Sequence, residues 1–501
     1  MVGSATQTHR DVARRPLRFL ERERLIVAVV AIYAAVALVR LPRTLNQDAW
    51  LALVSGRLIA HDGLPHHETL TVWASGSRWV DQQWLSQLLM YALHTVGGLR
   101  LVGLVHVALV VFAVAVAVVV ARKRAEPLTV LLIAMVAIGP ITYVSGEVRT
   151  QGFGVAVFAV VLALLLSDAR APSRRVWVVL PLLVAWGNLH GSVVLGAGLV
   201  GLRGLTIAVP ALRARSRADT IRGLGLAAGA IAAIFASPYA AELPWYYSHT
   251  AFNPLFGVVI TEWVPTTPGP LTAPFYLLLL LAAWTIGRRG DRMTPFEKLL
   301  LLVSGLGGML ALRYTGWFAL AALMTLPAAL DAELPRLREG SSRAARLGIA
   351  LAPAGALAVA VLVTATRPAR SFEDGYPAGP AAVVASVAAS DRHARIFSEV
   401  RFSDWLLWHH PELAGRLAFD ARFELLTTHE LLDLVRWSTQ VSDGWRRAAT
   451  GYDVIVLDRS RDPPASERPA TYRALLERGG FRLGYLSRTT AVLLRTGTAA
   501  R

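Results

Sequence analysis

The sequence predicts a mainly α protein: a polytopic transmembrane helix bundle of about 11 spans, followed by a small C-terminal extracytoplasmic α/β domain. Three observations carry this reading. The 501-residue chain is 54% hydrophobic and only 17% charged, with a mean hydropathy of +0.47, too apolar for a water-soluble protein of that length. Apolar segments near the roughly 17–25 residues that cross a bilayer recur through position 366. Beyond Arg367 they stop, and short β-like runs take their place.

The first 24 residues are basic. The apolar run after them lacks a small-residue cleavage site, so it reads as an uncleaved first helix rather than a signal peptide. The predicted spans are roughly 25–41, 99–121, 128–144, 152–167, 176–188, 191–209, 222–237, 271–287, 297–312, 314–330 and 346–366. A further helix, 84–96, precedes the second span. With the N-terminus inside, the inside loops hold 24 Lys and Arg and the outside loops 5. This is the bias that sets membrane orientation, and an odd span count puts the C-terminal end outside. The net charge of +17 is therefore read as topology and not as a nucleic-acid surface. The chain has no cysteine, which excludes disulfides, thiolate metal sites and a Cys nucleophile.

The predicted organisation is a cytoplasmic segment 1–24, a membrane domain 25–366 with a large first outside loop 42–83, a linker 367–380 and an outer domain 381–501. In the last, strands are expected at 395–398, 416–419, 453–458, 481–485 and 490–495. Helices are expected at 428–437 and 468–478. Trp405, Leu406, Phe419 and the run Val454–Leu457 are candidate core.

The polar residues of the membrane domain gather on one side. Asp48, Asp81, Arg149, His190, Glu262 and Arg313 all fall in outside loops or at outside span ends. Ionisable groups near the membrane are costly and tend to mark functional cavities. Asp48 opens a segment, Trp50 within it, that reads as a short amphipathic helix on the membrane surface, ended by Gly63 and Pro65. Asp48 is a candidate general base or ligand for a divalent metal cation, and equally an N-cap. Asp81 precedes another helix start and has the same two readings. Asn188-Leu189-His190-Gly191 breaks an apolar region with hydrogen-bonding groups, either as a site or as a tight turn. Arg149 and Arg313, on the Arg-poor side, suit an anionic ligand such as phosphate, or pair with Glu147, Glu262 or an Asp.

The order Asp48-x-Trp50, Gly56-Arg57, Gly63-Leu64-Pro65, Trp79-Val80 and Trp84-Leu85 resembles a group of bacterial polytopic membrane proteins similar to the GT-C superfamily of glycosyltransferases. The resemblance continues through Arg149-Thr150-Gln151, Trp186–Gly191, Pro238-Tyr239, Glu262-Trp263, Arg313, Phe402–Leu406 and Phe419–Arg422. It implies a multi-pass protein of the bacterial inner membrane. It also implies transfer of a sugar from a polyprenyl-phosphate carrier to a cell-envelope glycan, lipid or protein acceptor, with Asp48 and Asp81 catalytic. Trp50, Arg149, Asn188, His190, Glu262 and Arg313 would then bind substrate. The chain departs from the group's pattern at Ala52, Gln82 and Gln83, where His and His-Glu are usual. A non-catalytic envelope scaffold therefore stays open, as does a transporter of lipid or solute.

Overall fold

The computed structural model describes residues 21–251, 253–333, 342–376, 378–440, 443–462 and 470–497. Most of the basic N-terminal segment, part of the loop near 340 and Pro377 of the linker lie outside the described residues. Helices occupy all eleven predicted span positions: α1 (Arg24–Arg40), α3 (Trp84–Arg122), α4 (Pro127–Ser145), α5 (Gln151–Arg170), α6 (Val179–Leu189), α7 (Val193–Arg213), α8 (Arg217–Ile234), α10 (Ala273–Arg289), α11 (Pro295–Leu310), α12 (Thr315–Leu330) and α13 (Arg343–Thr366). Six of them, α1, α3, α4, α5, α7 and α13, are long and apolar enough to cross a membrane by length and composition.

Local chemistry sets several boundaries. Gly97 and Gly98 leave the helical region, Gly98 at a φ of 64°, and divide α3 into a prelude and a span. Pro181 falls in the first turn of α6, where its missing N–H costs nothing. Thr294 and Glu297 close a capping box on α11. Helix α12 is buried almost throughout and forms the axis around which α4, α10 and α11 pack.

Residues 42–83, named the first outside loop after their expected side, depart from expectation in one respect. Helix α2 (Gln47–Asp62) is present and ends at Gly63 in the left-handed region, but it is not a surface helix. Ala49 through Gly56 are all buried, because α2 is sandwiched between α3 and a helix of the C-terminal region, α15 (Val400–His409). Gly56 permits the contact: a Cβ there would stand 2.2 Å from the backbone oxygen of Gln87. Arg57 donates to the carbonyls of Leu407 and Trp408, at 2.6 and 2.8 Å, and so closes the C-terminus of α15.

The C-terminal region carries a four-stranded sheet in the order β1-β2-β4-β3, with β1 (Ile396–Ser398) parallel to β2 (Val454–Asp458). Strands β3 (Phe481–Leu486) and β4 (Thr490–Arg495) are antiparallel to their neighbours. The linker leads into α14 (Ala378–Ser390), and α16 (Thr428–Thr439) and α17 (Thr471–Glu477) flank the sheet. All seven expected core residues are buried. The strand expected at 416–419 is instead an isolated bridging segment. Leu417 pairs with Ile396 on one side and with Thr71 of the first outside loop on the other. Three backbone hydrogen bonds make this junction, from Val72 to Leu417, Trp73 to Ala418 and Gly415 to Leu70. The loop thus extends the sheet of the C-terminal region.

A buried ion cluster locks the same junction. Arg422 is held by Asp420 and by Glu68 of the first outside loop, with its guanidinium 4.1 Å above the Trp79 ring. Glu68 also accepts from the N–H groups of Leu70 and Thr71 at 2.6 and 2.7 Å. Removing one partner of a buried ion pair leaves an uncompensated charge, at about 3–5 kcal/mol. Arg422→Ala should therefore lower the unfolding temperature of the detergent-solubilised protein and speed proteolysis near residue 420. Unchanged unfolding and cleavage would show that the cluster does not hold the two regions together.

Candidate functional site

A cavity of about 1550 Å³ lies where the helix bundle, the first outside loop and the C-terminal region meet. Asp48, Arg149, His190, Glu262 and Arg313 all line it. Part of its wall is apolar and smooth, made by Leu195, Gly198, Leu199 and Leu202 of α7 with Val303 and Gly307 of α11.

Asp48 is not the cap of α2. Asn46 is: its side-chain oxygen accepts from the N–H of Asp48 at 3.1 Å and of Ala49 at 3.4 Å. This leaves the Asp48 carboxylate for the cavity, where Oδ2 meets Arg149 Nε at 3.0 Å. The other two guanidinium nitrogens of Arg149 pair with Glu147 and Glu262. One positive charge therefore serves three carboxyls. Burial raises the Asp48 pKa above the usual carboxylate range, with Arg149 pulling it down and Glu262 and Glu147 pushing it up.

Arg149 is thus paired with carboxylates, which is the second of its two expected readings, with Asp48 as the aspartate. Arg313 differs. It sits in the turn between α11 and α12, with its guanidinium 4.5 Å from the Trp263 ring centroid, and has no carboxylate partner among the described residues. Backbone bonds from Thr266 to Met309 and from Leu312 to Val264 tie the Glu262–Trp263 turn to this one. Of the two arginines on the cavity wall, Arg313 is the one without a carboxylate partner among the described residues.

His190 follows α6 and remains neutral. Burial, with Arg313 and Arg149 nearby, pushes its pKa down to about 3. Its Nδ1 accepts the Ser192 N–H at 3.1 Å. That hydrogen bond assigns the ring proton to Nε2, which becomes a neutral donor. Gln82 and Gln83, which replace the expected His-Glu, both line the cavity, and Gln83 accepts from the Thr150 hydroxyl at 2.6 Å. Ala52 is buried in α2 away from it.

Three expected site residues lie off the wall. Trp50 is fully buried against Tyr376 and His409. Asn188 is a brace: it accepts from Trp84 Nε1 at 2.9 Å and donates to the carbonyls of Val184 and Ala236. Asp81 is buried behind Gln82 in sequence, and its Oδ2 has no hydrogen-bond partner. It does not cap α3, whose N-cap is Gln83. Tyr239 is likewise a strut, donating to the Pro65 carbonyl at 2.7 Å. The cavity also holds residues that the sequence did not single out: Tyr246, Tyr247 and Glu424. Only the paired tyrosines after Pro244 and the acid after Arg422 hinted at them.

Asp48, Glu147 and Glu262 all turn on Arg149, and a metal would have to displace that guanidinium. Among the described residues no group of three or more His, Asp or Glu side chains is placed to hold one.

No protein-family model matches the chain, and no curated protein matches it significantly. Solved structures do. The oligosaccharyltransferase AglB of Archaeoglobus fulgidus, in complex with an inhibitory peptide and a dolichol-phosphate, is similar at a TM-score of 0.51 and 12% identity, over 86% of this chain and 69% of that one. ArnT of Cupriavidus metallidurans bound to undecaprenyl phosphate gives 0.48 and 16%, over 94% and 97%. The fold is GT-C-like.

Burial pushes Asp81 up to about 7, with Arg422 opposing the shift. The folded protein therefore holds this proton where the unfolded chain, with its carboxyl near the ordinary value of about 4, releases it. Stability contributed by this group is fully present below the unfolded value of about 4 and is lost as pH rises through about 7. Asp81→Asn should flatten that decline, giving a higher unfolding temperature than wild type at about pH 8 and a similar one at about pH 5. Glu424, shifted in the same direction, leaves a residual slope. Parallel curves for the two proteins would contradict the assignment.

Proposed function

We propose that this protein is a membrane glycosyltransferase that takes a sugar from a polyprenyl-phosphate carrier and passes it to an acceptor outside the cytoplasmic membrane. One observation carries the reading. A cation without a carboxylate partner, Arg313, shares a cavity with a carboxylate cluster and with an apolar wall of α7 and α11. That combination fits an anionic head on a long apolar tail next to a proton-accepting group. The GT-C-like fold supports it, since the archaeal oligosaccharyltransferase of this fold was captured with a dolichol-phosphate. The Lys and Arg bias of the loops supports a cytoplasmic N-terminus and an extracytoplasmic C-terminal region from residue 381 onward.

In this mechanism Arg313 holds the lipid phosphate and the neutral His190 Nε2–H donates to an oxygen of the head group. Asp48 accepts the proton of the acceptor hydroxyl as its oxygen attacks the anomeric carbon. The bond from that carbon to the phosphate oxygen breaks, and its electron pair leaves on the lipid phosphate. Arg149 holds Asp48 in place and balances its charge before the proton arrives. Holding both reactants in one cavity contributes through proximity.

Asp48→Asn is nearly isosteric, and since Asn46 is the cap, the variant leaves the helix terminus intact. Loss of a general base costs about 10²–10⁴ in rate. Transfer from radiolabelled polyprenyl-phosphate sugars, assayed in membranes holding equal amounts of each protein, should fall by that factor. A variant as fast as wild type would remove Asp48 from the chemistry. A wild type inactive across a broad panel of donors and acceptors would point to a scaffold.

A further inference from the structure

One wall of the cavity is not used by the mechanism above. It is made by Gln82 from the first outside loop, Tyr246 and Tyr247 from α9 (Leu243–Ala251), and Glu424 from the turn Phe423–Leu425 of the C-terminal region. None of these elements carries Arg313 or the apolar wall.

Two atoms of this wall are short of partners, while the Gln82 side chain also meets the Tyr246 phenol. Gln82 is 6% exposed, and its Oε1 is buried with no hydrogen-bond partner. The Tyr247 hydroxyl is also buried and unpartnered. A buried polar atom left unsatisfied costs about 1–3 kcal/mol, and two on one wall call for an explanation. Glu424 makes no ion pair among the described residues. Arg422, its near neighbour in sequence, is already taken by Asp420 and Glu68.

The chemistry of the set is uniform. An amide and two phenols each offer both donor and acceptor capacity at neutral pH, and a carboxyl does so when protonated. Burial pushes the Glu424 pKa up to about 7, which brings its protonated, hydrogen-bond-donating form within reach at neutral pH. A fixed cation, as an anionic acceptor would need, is missing from the four. Adjacent hydroxyls on a sugar ring are each donor and acceptor and match such a wall. The Tyr246 and Tyr247 rings, 5.4 Å apart and edge to face, add apolar surface for the ring's C–H groups.

We propose that this wall is the acceptor subsite and that the acceptor is a carbohydrate, with Gln82, Tyr246, Tyr247 and Glu424 binding its hydroxyls. The inference rests on the glycosyltransferase reading and adds the acceptor's chemical class. Since the donor's sugar must sit beside its phosphate at Arg313, the acceptor takes the wall built by the other elements.

The test uses full-length protein in lipid nanodiscs and saturation-transfer NMR with methyl glucoside, galactoside and mannoside. N-acetylserine amide and octanol serve as peptide-like and lipid-like comparators. At least one glycoside should receive saturation from wild type. Its affinity should drop about tenfold or more in Tyr247→Phe and in Glu424→Gln, as expected for loss of a hydrogen bond to a buried group. It should hold in Arg313→Ala, and adding undecaprenyl-phosphate glucose should leave it bound. Displacement by that lipid would assign the wall to the donor's sugar and overturn the proposal. So would glycoside binding that ignores both substitutions, no glycoside binding at all, or dependence of the amide or alcohol on these residues. Binding of undecaprenyl phosphate, read separately by native mass spectrometry, should weaken only in Arg313→Ala. If wild type fails to bind that lipid, the donor reading fails by itself and the glycoside result still decides the wall.

Discussion

The structure depends on the ion cluster of Arg422 with Glu68 and Asp420. Its members come from the first outside loop and from the C-terminal region, more than 350 residues apart in sequence. Buried charges are costly unless paired and hydrogen-bonded. This one is satisfied by two carboxylates and an indole face, with backbone N–H groups on Glu68. The cluster fixes the turn that presents Glu424 and, through the Val72–Leu417 pairing, closes one side of the cavity. Helix α2, pinned by Gly56 and Arg57 between α3 and α15, fixes the other side and aims Asp48 inward.

The two cavity arginines divide their work by partner. Arg149 is neutralised by three carboxyls and serves as the internal counter-ion of the acidic cluster. Arg313 has only an aromatic face and stays available. A cavity with both arginines paired would repel a phosphate, and one with both unpaired would leave Asp48 without orientation.

Much of the fold was legible because it follows from one-dimensional periodicity. All eleven apolar segments became helices, and four of the five expected strands formed, since each is a local run of β-branched or aromatic residues. The fifth, at 416–419, has strand character but finds only bridge partners, one of them in a loop far away in sequence. Of the cavity lining, part was legible: five of the six ionisable residues grouped on one side by the sequence reach one cavity. What the sequence left open was which arginine pairs: it offered Arg149 and Arg313 the same two readings, and no local signature separates them. Trp50 and Asn188 looked like site residues because polar or aromatic groups near spans attract notice, yet both stabilise the fold. The burial of α2 escaped notice because its helical pattern does not reveal that a second region covers its outer face.

The account stands on Arg313 as the phosphate ligand. Its most direct test is an electron cryomicroscopy structure of the full-length protein in nanodiscs with undecaprenyl phosphate. The account predicts the phosphate in contact with the Arg313 guanidinium, the prenyl chain along α7 and α11, and Arg149 still on Asp48, Glu147 and Glu262. A phosphate bound elsewhere, or one that draws Arg149 out of its carboxylate cluster, would contradict it.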